Sequence, residues 1–169
     1  MSIRACPPKL QRRRVIRGCL FLLALAAGVA SASDVTIARV FTGWRDAASF
    51  KRISEYFDGK EHTGGQLVMR THPEQRAGYY FLVRLTNPGA PLPVKVNLQV
   101  ISTTDAKPRT HTFSAELKTG KPVLNLGLTG ADWSDAKLDP VAWRLDVVDA
   151  DGRVLVTAKS YLWEKPAGK

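Results

Sequence analysis

In "VKVNLQV", residues 94–100, Val94, Val96, Leu98 and Val100 alternate with Lys95, Asn97 and Gln99. A two-residue period puts the four apolar side chains on one side of an extended strand and the polar ones on the other. That pattern excludes a helix and demands a second layer to cover the dry face. The same period recurs in "YYFLVRL", 79–85 (Tyr79, Phe81, Val83, Leu85), in "HTFSAEL", 111–117 (His111, Phe113, Ala115, Leu117), and in "VLNLGL", 123–128 (Leu124, Leu126, Leu128). Asn87-Pro88-Gly89 with Pro91 and Pro93 separates two of these runs, because proline fixes φ and donates nothing to a ladder. "DADG", 149–152, joins "VAWRLDVV" to "RVLVTAKSYLW" as a hairpin. At the front, "DVTIARVFTGW", 34–44, reads as a strand whose alternation slips near Ala38-Arg39, as at a β-bulge.

One stretch follows a different period. In "RDAASFKRISEYF", 45–57, Ala47, Phe50, Ile53 and Phe57 recur at three- and four-residue steps. This predicts a short amphipathic helix near residues 46–57, with Asp46 suited to its N-cap and Lys51 and Glu55 four apart on another side. Gly59 then falls where a helix needs a left-handed residue just past its end. Seven or eight short antiparallel strands with one crossing helix predict an all-β fold, a two-sheet antiparallel sandwich. Over residues 66–163, the strand count, Trp143 in an apolar strand and the final hairpin resemble the immunoglobulin or fibronectin type III architecture. The Cys…Trp…Cys signature of antibody-type domains is missing from it.

The first thirty-two residues carry the parts of a secretory signal peptide. Arg4, Lys9, Arg12, Arg13, Arg14 and Arg17 precede the apolar run 18–30, and Ala30-Ser31-Ala32 supplies a small-residue cleavage site. At 13 residues the run is too short to span a ~30 Å hydrocarbon core as a helix. The expected organisation is therefore a cleaved signal, 1–32, and one sandwich domain, 33–169, in the periplasm or outside the cell. "QRRRVIR", 11–17, loosely resembles a twin-arginine signal, although ordinary secretion is favoured.

Losing the leader changes the charge. The chain has 25 Lys and Arg against 15 Asp and Glu, and six of the basic residues but no acid lie in the leader, so the remainder carries a net +4. No basic run remains to track a nucleic acid. Both cysteines, Cys6 and Cys19, also lie in the leader, so the exported form can make no disulfide, thiolate nucleophile or cysteine-held zinc site.

The residues able to carry chemistry are few. "FDGKEHTGG", 57–65, sets Asp58, Glu61 and His62 among three glycines; backbone geometry explains the glycines, and an exposed connection explains Glu61 and His62. His62 and His72 flank a strand of about six residues, which holds them roughly 20 Å apart, too far to share one ion. His111 with either of them and carboxylates is the remaining metal arrangement. Asp149 and Asp151 fit a turn, because no glutamate closes a calcium loop. Residues 33–169 contain no G-x-S-x-G, H-E-x-x-H or phosphate-cradling glycine motif. Trp44 and Trp133 lie at loop positions where a ring contacts a ligand or plugs the sandwich end. Arg70 and Arg76, around "THPEQ", are free for an acidic partner or for surface ion pairs.

The expectation is a non-enzymatic binding domain that needs no cofactor or metal. It recognises an envelope protein or polysaccharide through sandwich-end loops, with Trp44, Glu61, His62 and Trp133 as candidate contacts. The competing expectation is a metal-dependent or hydrolytic enzyme using His111 or His62 with nearby carboxylates.

Overall fold

Each alternating run in the sequence forms a strand in the computed structural model, which describes residues 34–164; the expected leader, 1–32, lies outside them. Eight strands follow in order: β1 (Thr36–Arg45), β2 (Leu67–Arg70), β3 (Gly78–Thr86), β4 (Leu92–Ile101), β5 (Arg109–Leu117), β6 (Val123–Thr129), β7 (Ala142–Asp149) and β8 (Val154–Lys159). They make two four-stranded sheets, ordered β1-β3-β6-β2 and β5-β4-β7-β8, packed face to face as an all-β sandwich.

The dry faces meet where the two-residue period says they should. Phe81, Val83, Val96, Leu98, Leu126, Leu145 and Val147 are all at 0 % exposure, and Trp143 sets its edge against Phe81 at 5.8 Å between ring centres. The slip at Ala38-Arg39 is a register shift between Ile37 and Arg39 in the β1–β3 ladder. The "DADG" turn joins β7 and β8. There Asp149 Oδ1 accepts hydrogen bonds from the amides of Asp151, 3.0 Å, and Arg153, 2.9 Å, so the carboxylate is used by the turn.

Two local expectations change. Pairing is antiparallel except between β2 and β6, which run parallel. The chain leaves β1, crosses the outer face of the first sheet over β3 and β6, and re-enters in the direction of β1, which sets β2 parallel to its neighbour β6.

The amphipathic helix near 46–57 is realised as two short pieces, a 3₁₀ turn at Ala47–Phe50 and one α-helical turn, α1, at Glu55–Asp58. Lys51 between them is extended. A helix of about twelve residues is marginal by itself, and here tertiary contacts take its side chains individually. Phe50 packs on Tyr80 at 4.7 Å, and Glu55 pairs with Arg76 at 2.6 Å rather than with Lys51. Asp46 makes no cap bond; its Oδ1 accepts from Trp44 Nε1 at 2.9 Å. Gly59 does close α1 in the left-handed region, φ 68°, with its amide bonded to the Glu55 carbonyl.

Candidate functional site

The end of the sandwich where β4 and β6 finish and β5 begins holds a cavity of about 130 Å³. Its floor is apolar, from Val100, Leu128 and Leu138, and its rim carries Ser102, Thr104, Arg109, His111, Asp132 and Ser134. The loop after β6 shapes it. Gly130 has φ 60°, and a Cβ there would lie 2.7 Å from Gln75 Oε1 and 3.1 Å from His72 Cγ, so both conformation and space call for glycine. Trp133 then folds inward. It is 7 % exposed, packs on Tyr79 at 5.3 Å between ring centres, and donates from Nε1 to the Leu138 carbonyl at 3.2 Å.

Asp132, one residue before that buried ring, is held where two imidazoles face it. His72 Nδ1 is 3.5 Å and His111 Nδ1 3.9 Å from Asp132 Oδ2. His72 is fixed by β6: its Nδ1–H donates to the Thr129 carbonyl at 2.8 Å, and its backbone amide donates to Thr129 Oγ1 at 3.0 Å. His111 is half-buried. Burial lowers its pKa below the usual imidazole value, and nearby Arg109 lowers it further against the pull of Asp132 in the other direction. Its ring is therefore neutral at neutral pH, with one nitrogen donating and one accepting. Among the described residues no hydroxyl is hydrogen-bonded to the His111 ring, and no three His, Cys, Asp or Glu side chains converge as a metal-ligand set.

A second polar cluster lies under the crossover. β3 alternates Tyr79 and Phe81 into the core, so Tyr80 between them points to the outer face, where it is nevertheless 1 % exposed. Its ring lies over Gly127 on β6; a Cβ there would be 2.5 Å from Tyr80 Cε1. The Tyr80 hydroxyl donates to the Arg76 carbonyl at 2.7 Å and accepts from Arg70 Nε at 2.8 Å. Arg70 also grips Glu61 with both terminal nitrogens, at 2.9 and 2.5 Å, and its guanidinium lies 5.0 Å from the Phe50 ring centre. Arg76 bridges Glu55 and, at 3.5 Å, Glu61. The hydrogen bond from Arg70 holds the Glu61 carboxyl below its ordinary range.

The four candidate contacts do not gather into one site. Trp133 supports the cavity from within. Trp44 is half-buried against the core at the end of β1 and borders a shallow recess with Phe41 and Tyr80. Glu61 is turned inward onto Arg70. His62, exposed, pairs with Asp58 at 2.6 Å. Thus Arg70 and Arg76 are engaged in ion pairs within the fold. His111 meets His72 across Asp132, whereas His62 belongs to the crossover. Asp132, Ser102 and Thr104 were not singled out by any motif, because residues from two separate loops carry no shared spacing. No family model matches this chain, and no curated protein matches it.

Proposed function

We propose that the chain is an exported, non-enzymatic binding domain of immunoglobulin-like or fibronectin type III-like architecture. It recognises an envelope protein or polysaccharide by admitting one polar group, a single side chain or sugar, to the cavity beside His111. The observation that carries this reading is the size and lining of the cavity. At about 130 Å³ it falls below the ~300 Å³ of pockets that enclose a whole small ligand. Its rim offers a neutral imidazole, a carboxylate and hydroxyls, a set of donors and acceptors suited to hydroxyl or amide groups.

The hydrolytic alternative needs a base within hydrogen-bond reach of a nucleophile, with its own ring oriented by a third group. His111 approaches a carboxylate at 3.9 Å and has no bonded hydroxyl among the described residues, so binding is the better-supported role.

The test is affinity capture from the organism's envelope extract with residues 33–169, beside His111→Gln and Thr104→Ala, which alter the rim without emptying the core. Retention of a defined protein or glycan by the parent chain, with at least a fivefold loss in both variants, is the expected result. Retention unchanged in both variants overturns the cavity as the site. Turnover of ester or glycoside substrates by the parent chain, absent in His111→Gln, would replace binding with catalysis.

A further inference from the structure

Folding normally hides large apolar side chains, yet Ile53, Tyr56 and Phe57 in the crossover are 78 %, 78 % and 85 % exposed. Three such groups within five residues form an apolar tip that contributes nothing to the core. Around this tip the charges are sorted. Each acid is already engaged: Glu55 with Arg76, Glu61 with Arg70, and Asp58 with His62. Lys51, Arg52 and Lys60 are exposed and make no ion pair among the described residues. The segment therefore presents apolar groups and three cations without ion pairs outward; Glu55 and Glu61 are turned inward onto arginines, and Asp58 is the one carboxylate left exposed there, beside His62.

The outer face of the sheet that the crossover covers carries a patch of the same character, on independent residues. Arg39 on β1 stands directly opposite Arg84 on β3. Like charges at facing positions destabilise a ladder, and no acid is paired with either arginine among the described residues. Both guanidinium groups lie over Phe41, at 5.3 and 5.4 Å from its ring centre, and that ring is 42 % exposed. A shallow recess lined by Phe41, Arg45, Tyr80 and Leu82 lies on this face.

We propose that this outer face of the β1-β3-β6-β2 sheet is a docking surface for an anionic phospholipid bilayer. Ile53, Tyr56 and Phe57 enter the interfacial layer, while Lys51, Arg52, Lys60, Arg39 and Arg84 meet headgroup phosphates. A protein partner is the weaker match, because a stable interface takes ~800 Å² of complementary surface per partner. A protruding tip of three side chains offers little of that, whereas a bilayer stabilises each inserted side chain separately. A simple polyanion would use the cations and leave the apolar tip in water. No helix among the described residues is long and apolar enough to cross a membrane. Lipid docking uses a different surface from the His111 cavity and stands or falls separately from it.

The test is co-sedimentation with vesicles of phosphatidylcholine and phosphatidylglycerol in equal parts, against phosphatidylcholine alone. The protein is used without residues 1–32, whose basic and apolar character would itself bind lipid; the fold described above lies within residues 34–164. The expected result is selective, salt-weakened binding to the mixed vesicles. Phe57→Ser is expected to reduce it roughly tenfold, and Lys51→Ala or Lys60→Ala roughly fivefold each. Thermal melting verifies that these exposed substitutions leave the fold intact. Equal binding to both vesicles, or none, overturns the proposal. So does salt-sensitive binding that Phe57→Ser leaves unchanged, which would mark a general polyanion surface. A change of oligomeric state in Phe57→Ser without vesicle binding by the parent would point to a second copy and overturn it as well.

Discussion

The two sheets use their outer faces differently. On β5-β4-β7-β8 the outward residues form short polar pairs: Thr112 donates to Asn97 at 2.9 Å, and Thr157 and Arg144 both reach Asp146. That face needs no cover. On β1-β3-β6-β2 the outward Tyr80 is as buried as a core residue, and a twenty-one-residue excursion between β1 and β2 seals it with Phe50 and with Glu61, which is held by Arg70 at the end of β2. The first sheet is thus dry on part of both faces, and the crossover is held by aromatic stacking and ion pairs rather than by helix formation.

The sharpest way to break this asymmetry is to remove Tyr80. Tyr80→Ala is expected to cost about 3–5 kcal/mol, in the range of a buried aromatic truncation, as read from urea denaturation midpoints. Gly127→Ala should also destabilise, since its methyl group would meet the Tyr80 ring at 2.5 Å and that ring is confined by Phe50. In the Tyr80→Ala background the same glycine substitution should cost little, because the obstructing ring is gone. Additive effects in that double-mutant cycle would show that the ring and the glycine are independent.

The difference between the faces was only partly legible in the sequence. "VKVNLQV" alternates strictly, and β4 has one dry face. "YYFLVRL" does not: Tyr80 and Leu82 occupy the positions where an open face carries polar groups, and a nearly continuous apolar run is the mark of a strand covered on both sides. That signal was present, but it does not name the cover. Phe50 has helical spacing to Ala47 and Ile53, yet its energy comes from Tyr80, thirty positions away. Glu61 and Arg70 are related by the path of the crossover and by no local period. Trp133 was legible as a ring large enough to be buried. The His111 rim was not, since it gathers residues from β5 and two loops whose proximity is set only by sheet order.

A smaller effect is expected from the ion pair that fastens the crossover. Arg70 has a side chain only 7 % exposed and Glu61 one 22 % exposed, between a surface pair and a fully buried one. Glu61→Gln is therefore expected to cost about 2 kcal/mol, above the ~0–1 kcal/mol of exposed pairs and below the ~3–5 kcal/mol of buried ones. The pH dependence has a definite sign. Because the hydrogen bond from Arg70 depresses the folded-state pKa of Glu61, its stabilisation is complete above the unfolded carboxyl value near 4.5 and is lost as pH falls through the lower folded value. The parent chain and Glu61→Gln should therefore converge in stability on acidification. A gap that stays constant to the lowest pH at which both fold would mean that shape, and not charge, accounts for the loss.

The least effect belongs to the uncovered face, where the comparison is most easily sharpened. Thr112→Val deletes the 2.9 Å bond to Asn97 Oδ1 while keeping the β-branched shape that suits a strand. Asn97 lies on the outer face, where the acceptor left behind can turn to water, so no desolvation penalty remains. The expected change is within about 0.5 kcal/mol, several-fold below that of Tyr80→Ala at the corresponding outward position of the other sheet. A loss of about 2 kcal/mol or more in the same denaturation assay would mean that the Asn97–Thr112 pair is shielded in solution. The second sheet would then also have a cover, and the proposed division between a sealed face and an open one would fail.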